Sequence, residues 1–169
     1  MSQNFFDYPT AFSRTIGWVT SKEQDTLKSK RIAIAGMGGV GGSHLLSLTR
    51  LGIGQFNISD FDRFELPNFN RQVGASLSHL NQPKVDVLAA MALDINPTLT
   101  IKKFSSGVNA DNLSEFFRDV DVYVDGLDFF AFDAREKVFA YCAEQGIPAV
   151  TVAPSAFVGS IFNISRKAS

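Results

Sequence analysis

The chain has one cysteine, two histidines and a formal net charge of −1 over 169 residues. A lone thiol, Cys142, cannot form an internal disulfide and leaves no cysteine pair for a structural zinc, which fits a reducing compartment. A near-neutral charge gives no general pull towards nucleic acid or anionic lipid, so any phosphate recognition has to come from a local site. No apolar run is long enough to span a bilayer, and the opening MSQNFFDYPTAFSRTIGW lacks the basic start and apolar core of a secretory leader. The expectation is therefore a cytoplasmic chain with no membrane partner. Internal repeats and low-complexity stretches are also missing, as is any Ser-His-Asp or Cys-His set. His44 and His79 read as ordinary surface or helix residues.

What is present suits one domain. Hydrophobic residues make up 45% of the chain, enough for a core without metals or cross-links. Phenylalanine is abundant, with sixteen copies. Phe61, Phe64, Phe69, Phe129, Phe130 and Phe132 fall near the expected ligand face and read mostly as core or interface residues.

Helical segments are expected over 7–15 and 21–29, the second opened by Thr20 or Ser21 with Glu23 as a capping partner. Alternation then begins. Apolar runs at 31–36, 55–59, 99–103, 120–124 and 149–152 read as strands, with a further one at 158–164. Between them, 40–51, 84–95, 111–118 and 131–144 read as helices, the first with Leu45, Leu46 and Leu48 inward. Residues 60–82 form a long polar loop with at most short helical turns, and loops of that length are usually functional. The pattern predicts an α/β fold: a Rossmann-like, doubly wound, mostly parallel sheet with an N-terminal helical lead-in. The expected division is a helical segment over 1–29 and a nucleotide-binding domain over 30–169.

Three groups of residues carry chemistry. Gly36, Gly38, Gly39 and Gly41 lie between a strand and a helix, where glycine lets the backbone approach a phosphate at the helix N-terminus. Asp60-Phe61-Asp62 closes the second strand about twenty residues later, where a carboxylate can accept hydrogen bonds from ribose hydroxyls. A NAD(P)-dependent oxidoreductase would share both features. It would not require the next stretch, Asn68, Asn70, Arg71 and Gln72, followed at twelve residues by Lys84. An arginine and a lysine converging on one pocket can neutralise a triphosphate and the charge that builds when an α-phosphate is attacked. Asp128 sits just past the fourth strand, at the carboxyl edge where such sheets bind ligands, and a carboxylate there can hold Mg²⁺ beside phosphates. Asp125 reads as structural, and Cys142 as a small buried residue on an apolar helix face.

Taken in order, GMGGVG, DFD, NFNRQ, QPK and the Asp128 region resemble the adenylation domain of the ThiF/MoeB/HesA family, within the ubiquitin-activating enzyme superfamily. The resemblance covers nearly the whole chain. It implies that Gly36 to Gly41 surround the phosphates of ATP, that Asp60 binds ribose, that Asn68, Arg71 and Lys84 contact phosphates, and that Asp128 holds the metal. It also implies a homodimer in which Arg14, from Phe12-Ser13-Arg14, acts in the partner's site. The implied reaction is ATP-dependent adenylation of the C-terminal carboxylate of a ubiquitin-like or sulfur-carrier protein ending in a diglycine. Pro67, Phe69 and Phe129 depart from the residues usual in relatives. The relatives' C-terminal region lies past Ser169, so the chain is expected to be truncated on that side.

Two further readings share these residues. One is activation of a tRNA-linked carboxylate, as in threonylcarbamoyladenosine dehydratases; the other is a nucleotide-binding scaffold without turnover.

Overall fold

The computed structural model describes residues 6–128, 130–154 and 159–164. Its centre is a sheet in which Arg31–Ala35 (β1), Gln55–Ser59 (β2), Thr100–Phe104 (β3), Val122–Asp125 (β4) and Ala149–Pro154 (β5) run parallel. Gly159–Ile164 (β6) pairs antiparallel with β5. The strand order is β3-β2-β1-β4-β5-β6. The chain therefore winds outward from β1 in one direction and then crosses to β4 on the other side. That reversal opens a crevice beyond the carboxyl ends of β1 and β4, the place where doubly wound sheets receive ligands.

The side chains of β1 explain why the two sheet faces differ. Ile32 and Ile34 point to one face, where Gly39–Leu51 (α3) and Lys84–Ile95 (α4) supply Leu45, Leu46, Val85 and Leu88. Ala33 and Ala35 point to the other. Their small size leaves room for aromatics carried by Leu113–Phe116 (α5), β4 and Phe132–Gln145 (α6). Phe104, Phe116, Phe117 and Tyr123 follow one another edge to face with ring centroids 5.0 to 5.5 Å apart, a geometry that adds quadrupolar attraction to area burial. Cys142 is buried in that layer.

Two expected helices are shorter than their sequence patterns. Over 7–15, Tyr8–Ala11 (α1) ends at Phe12, whose φ of −108° leaves the helix as its ring enters the core, and a tight turn follows at Ser13–Thr15. Over 111–118 only Leu113–Phe116 is helical. There the Asn109 Oδ1 accepts the amides of Asp111 and Asn112, and the Asn112 Oδ1 accepts that of Asn109. These local bonds hold the backbone in a turn that competes with the helix.

The lead-in is tied to the amino edge of the sheet. Ser21–Ser29 (α2) starts at a capping box between Thr20 and Glu23. From it Gln24, 5% exposed, donates to the Leu51 carbonyl at 3.0 Å and to the Tyr8 hydroxyl at 3.1 Å. Tyr8 in turn donates to the Gly52 carbonyl. Those carbonyls end α3, where no intrahelical donor remains, so α1 and α2 close the helix that the glycine loop opens.

At the opposite end, three glycines meet backbone to backbone. A Cβ on Gly41 would stand 1.7 Å from the Gly36 carbonyl oxygen, and one on Gly126 would stand 2.6 Å from the same atom. One on Gly38 would meet nothing nearer than the Gln72 Nε2 at 3.8 Å. Gly126→Ala is therefore expected to lose about 1–3 kcal/mol of stability to overpacking, at least about 1 kcal/mol more than Gly38→Ala. Urea unfolding of the two variants measures this, and equal losses would remove the backbone contact as the cause.

Candidate nucleotide site

The turn after β1 is made at Gly36, whose φ of +87° is open to glycine at little cost. Its amide donates to the Ser59 carbonyl at 2.7 Å, joining the loop to the end of β2. One residue on, the Met37 amide donates to Asp60 Oδ2 at 2.6 Å, while Asp60 Oδ1 accepts the Asp62 amide at 2.7 Å. Asp60 is thus a brace between the glycine loop and β2. A carboxylate has about four lone-pair sites, so two remain for a ribose. α3 then begins at Gly39, with its free amides and the positive end of its dipole at the crevice.

The loop 60–82 brings the basic residues to this helix terminus. It contains short turns at Leu66–Asn68 and Leu77–His79, as its polar sequence predicts. Asn68 is 9% exposed and organises it: its Oδ1 accepts the Glu65 amide at 2.9 Å, and its carbonyl accepts the amides of Arg71 and Gln72. Arg71 then lies against Gly39, with its carbonyl oxygen 3.2 Å and its Cγ 3.6 Å from where a Cβ would stand. The guanidinium is exposed, donating to the Pro67 carbonyl and to Asn70 Oδ1 at 3.0 Å each. Gln72 is 7% exposed, lies beside Gly38, and has its Oε1 buried without a hydrogen-bond partner among the described residues. Ser59 Oγ, at the end of β2, is buried in the same condition.

Lys84, first residue of α4, is buried while Asp62 is half exposed; the Nζ and Asp62 Oδ2 are 2.9 Å apart. The backbone repeats the link, since the Lys84 amide donates to the Asp62 carbonyl at 3.0 Å. Asp62, expected among the nucleotide-binding residues beside Asp60, is in the structure the counter-ion of Lys84. Asp128 is exposed beyond β4, and its Oδ1 accepts the Phe130 amide at 3.1 Å.

The sequence-predicted residues therefore fall into two groups. Gly36, Gly38, Gly39, Gly41, Asp60, Asp62, Asn68, Asn70, Arg71, Gln72, Lys84 and Asp128 lie on the glycine loop and the first turn of α3, on the loop 60–82, at the first residue of α4, or just past the carboxyl end of β4. Arg14 does not join them within one chain. It sits in the lead-in docked on the far end of α3, a helix of 13 residues and so about 20 Å long. Of the phenylalanines expected as core or interface residues, Phe64 is core, while Phe61, Phe69, Phe130 and Phe132 are 76%, 38%, 81% and 59% exposed in the single chain. Phe129 and Val158 lie outside the described residues.

Three residues that matter went unremarked in the sequence: Gly126, Arg135 and Thr151. Gly126 carried a readable signal, a glycine at the end of β4 opposite the one that ends β1. Arg135 carried a fainter one, because a cation in the first turn of a helix opposes the dipole and calls for a fixed anion. That anion is Asp125, 3% exposed. Beside it, burial first and then the Asp125 charge push the Tyr123 hydroxyl well above its usual range, so it stays a donor.

Comparison with known proteins agrees with this geometry. A profile of the ThiF family matches residues 12–169. The chain belongs to the ThiF family. It is 30% identical over 141 residues to the tRNA threonylcarbamoyladenosine dehydratase of Bacillus subtilis, covering 83% of this chain and 55% of that protein. It is 31% identical over 136 residues to the SAMP-activating enzyme E1 of Haloferax volcanii, covering 80% of this chain and 50% of that one. Among solved structures it superposes on the E. coli tRNA N6-threonylcarbamoyladenosine dehydratase in complex with ATP, with a TM-score of 0.80 at 27% identity over 85% of this chain and 58% of that one. The chain spans about half the length of these curated relatives. No helix among the described residues is long and apolar enough to cross a membrane.

Cys142 takes no part in the site. It is 1% exposed, and burial pushes its thiol up to about 12. Near pH 8 it is almost wholly protonated, so the native ThiF-family chain is expected to react with Ellman's reagent roughly a hundredfold more slowly than the urea-unfolded chain. Equal rates would show that the α6 layer opens readily.

Proposed function

We propose that this chain binds ATP at the carboxyl edge of its sheet and forms the nucleotide site of an enzyme that adenylates a carboxylate. The observation that carries this reading is the packing of Arg71 on Gly39 at the N-terminus of α3, supported by the buried Lys84 ammonium paired with Asp62, two residues from the Asp60 carboxylate that braces the glycine loop. A dinucleotide needs neither. In the reaction a carboxylate oxygen bonds to the α-phosphorus, the bond from that phosphorus to the bridging oxygen of the β-phosphate breaks, and pyrophosphate leaves with the electron pair. The α3 amides receive phosphate oxygens, Arg71 and Lys84 offset the charge that builds in the transition state, and Asp60 orients the ribose. No protein nucleophile is needed, in keeping with the absence of a Ser-His-Asp or Cys-His set.

The donor set suits magnesium. Among the described residues no three His, Cys, Asp or Glu side chains gather into a cage, and Mg²⁺ characteristically takes one or two carboxylates together with phosphate oxygens and water. Asp128, an exposed carboxylate just past β4, would hold it, and the ion would neutralise phosphate charge.

The acyl acceptor is the C-terminal carboxylate of a ubiquitin-like carrier protein ending in a diglycine. The dehydratase names among the relatives support a second reading, a carboxylate on tRNA. Either activity belongs in the cytoplasm, in a homodimer whose Arg14 reaches the partner's site.

ATP–pyrophosphate exchange by the full-length protein with Mg²⁺, against diglycine-ended carriers and threonylcarbamoyl-tRNA, is the direct test. Exchange is expected with one acceptor class, and Lys84→Ala is expected to lower kcat/KM by roughly 10²–10³; ATP binding without exchange for any acceptor would leave a scaffold. A tighter affinity for reduced dinucleotide than for ATP would replace the reading altogether. For Arg14, mixing Arg14→Ala with Lys84→Ala subunits is expected to restore exchange in the mixed dimers. No recovery from demonstrably mixed dimers would refute action in trans.

A further inference from the structure

Asp125 ends β4 with a buried carboxylate on which four donors converge. Arg135 Nε lies 2.7 Å and Thr151 Oγ1 2.8 Å from Oδ2, while the Leu127 amide lies 3.1 Å and the Tyr123 hydroxyl 3.2 Å from Oδ1. A carboxylate offers about four lone-pair sites, so this one is saturated by the protein itself and has nothing left for a metal or a substrate. Its work is internal.

The guanidinium of Arg135 carries that work outward. While Nε is held by Asp125, Nη2 donates to the carbonyls of Leu127 and Asp128, at 3.0 Å each. A fork of fixed geometry thus joins a buried anion to the two residues that lead out of the sheet at the crevice. Arg135 stands in the first turn of α6, facing the positive end of its dipole, and Asp125 offsets that unfavourable placement.

We infer that Arg135 is a positioning residue: anchored by Asp125, it fixes the backbone at Leu127 and Asp128 and so sets where the Asp128 carboxylate meets the metal on a bound nucleotide. The inference rests on the proposed role of Asp128 and extends it to a residue that touches neither nucleotide nor metal. Lysine separates the two halves of the device. Its ammonium can neutralise Asp125, but it lacks the planar fork that reaches the anion and both carbonyls together.

The test is ATP affinity, by calorimetry on the full chain, with Mg²⁺ and with EDTA, for wild type, Asp128→Asn and Arg135→Lys. Wild type is expected to bind more tightly with Mg²⁺, and Asp128→Asn to lose that gain. Arg135→Lys is expected to reduce the gain by about tenfold, as loss of a partner behind a metal ligand does, while its metal-free affinity and far-UV circular dichroism stay at wild-type values. Thr151→Val, which removes one anchor of Asp125 and keeps the ion pair, is expected to give a smaller loss of the same kind, and it decides the matter if Arg135→Lys does not fold. A full magnesium gain in the folded Arg135 variant, beside a lost gain in Asp128→Asn, overturns the inference and leaves the role of Asp128 intact. Equal weakening with and without Mg²⁺ makes Arg135 merely structural and also overturns it. An unchanged gain in Asp128→Asn removes the reading on which it rests.

Discussion

Everything at the carboxyl edge depends on how closely the backbone can pass between β1 and β4. Gly36 turns with a φ of +87°, and its carbonyl lies where a Cβ on Gly41 or Gly126 would have to stand. Because those positions are empty of side chain, α3 can start directly above the strand ends and point its free amides into the crevice. A single Cβ would push the helix away from the sheet. The brace from the Met37 amide to Asp60 and the packing of Arg71 on Gly39 would then lose their register together.

Charge is arranged around that constraint in two separate pairs. Asp125 and Arg135 form a pair in which the carboxylate is buried, with its lone pairs fully used, and the guanidinium is partly buried. Removing the guanidinium would leave a buried anion short of a partner, which is costly. Lys84 and Asp62 differ in kind. The ammonium is buried, but its partner is half exposed. The first pair holds the frame beneath Asp128, and the second holds a cation in readiness. A net charge of −1 thus coexists with a locally basic seat.

Much of this was legible in the residues, for identifiable reasons. Periodicity located the strands because a parallel sheet covered on both faces needs short, almost wholly apolar runs such as Arg31–Ala35 and Val122–Asp125. The glycine loop was legible because its spacing is a steric requirement. Partnership was not. Asp62 is expected near the nucleotide from its place in Asp60-Phe61-Asp62, but nothing local shows that Lys84, twenty-two residues on, folds back against it. Composition alone does not separate core from interface for Phe61, Phe130 and Phe132; the tertiary arrangement takes them out of the core, exposed in the single chain. The shortened helix near Leu113 has a local cause that was readable: Asn109 and Asn112 bond backbone amides in a turn.

The same arrangement separates the two nucleotide classes that share a glycine loop and an acid at the end of β2. Asp60 by itself decides nothing, because either a dinucleotide or ATP presents a ribose to it. Lys84 does decide. Burying an ammonium beside one half-exposed carboxylate carries a desolvation cost that a single such pair repays poorly. Nothing in the packing of α4 demands it, since Val85, Leu88 and Ala92 already fill the core face. In the proposed reading a triphosphate would add negative charge near that pair, and because the ammonium is buried the interaction would be stronger than at an exposed surface. Gln72 Oε1 and Ser59 Oγ, buried and without hydrogen-bond partners among the described residues, are the polar counterpart of that argument. In the proposed reading, a densely charged, hydrogen-bonding ligand would meet Arg71 and these polar atoms next to the N-terminus of α3.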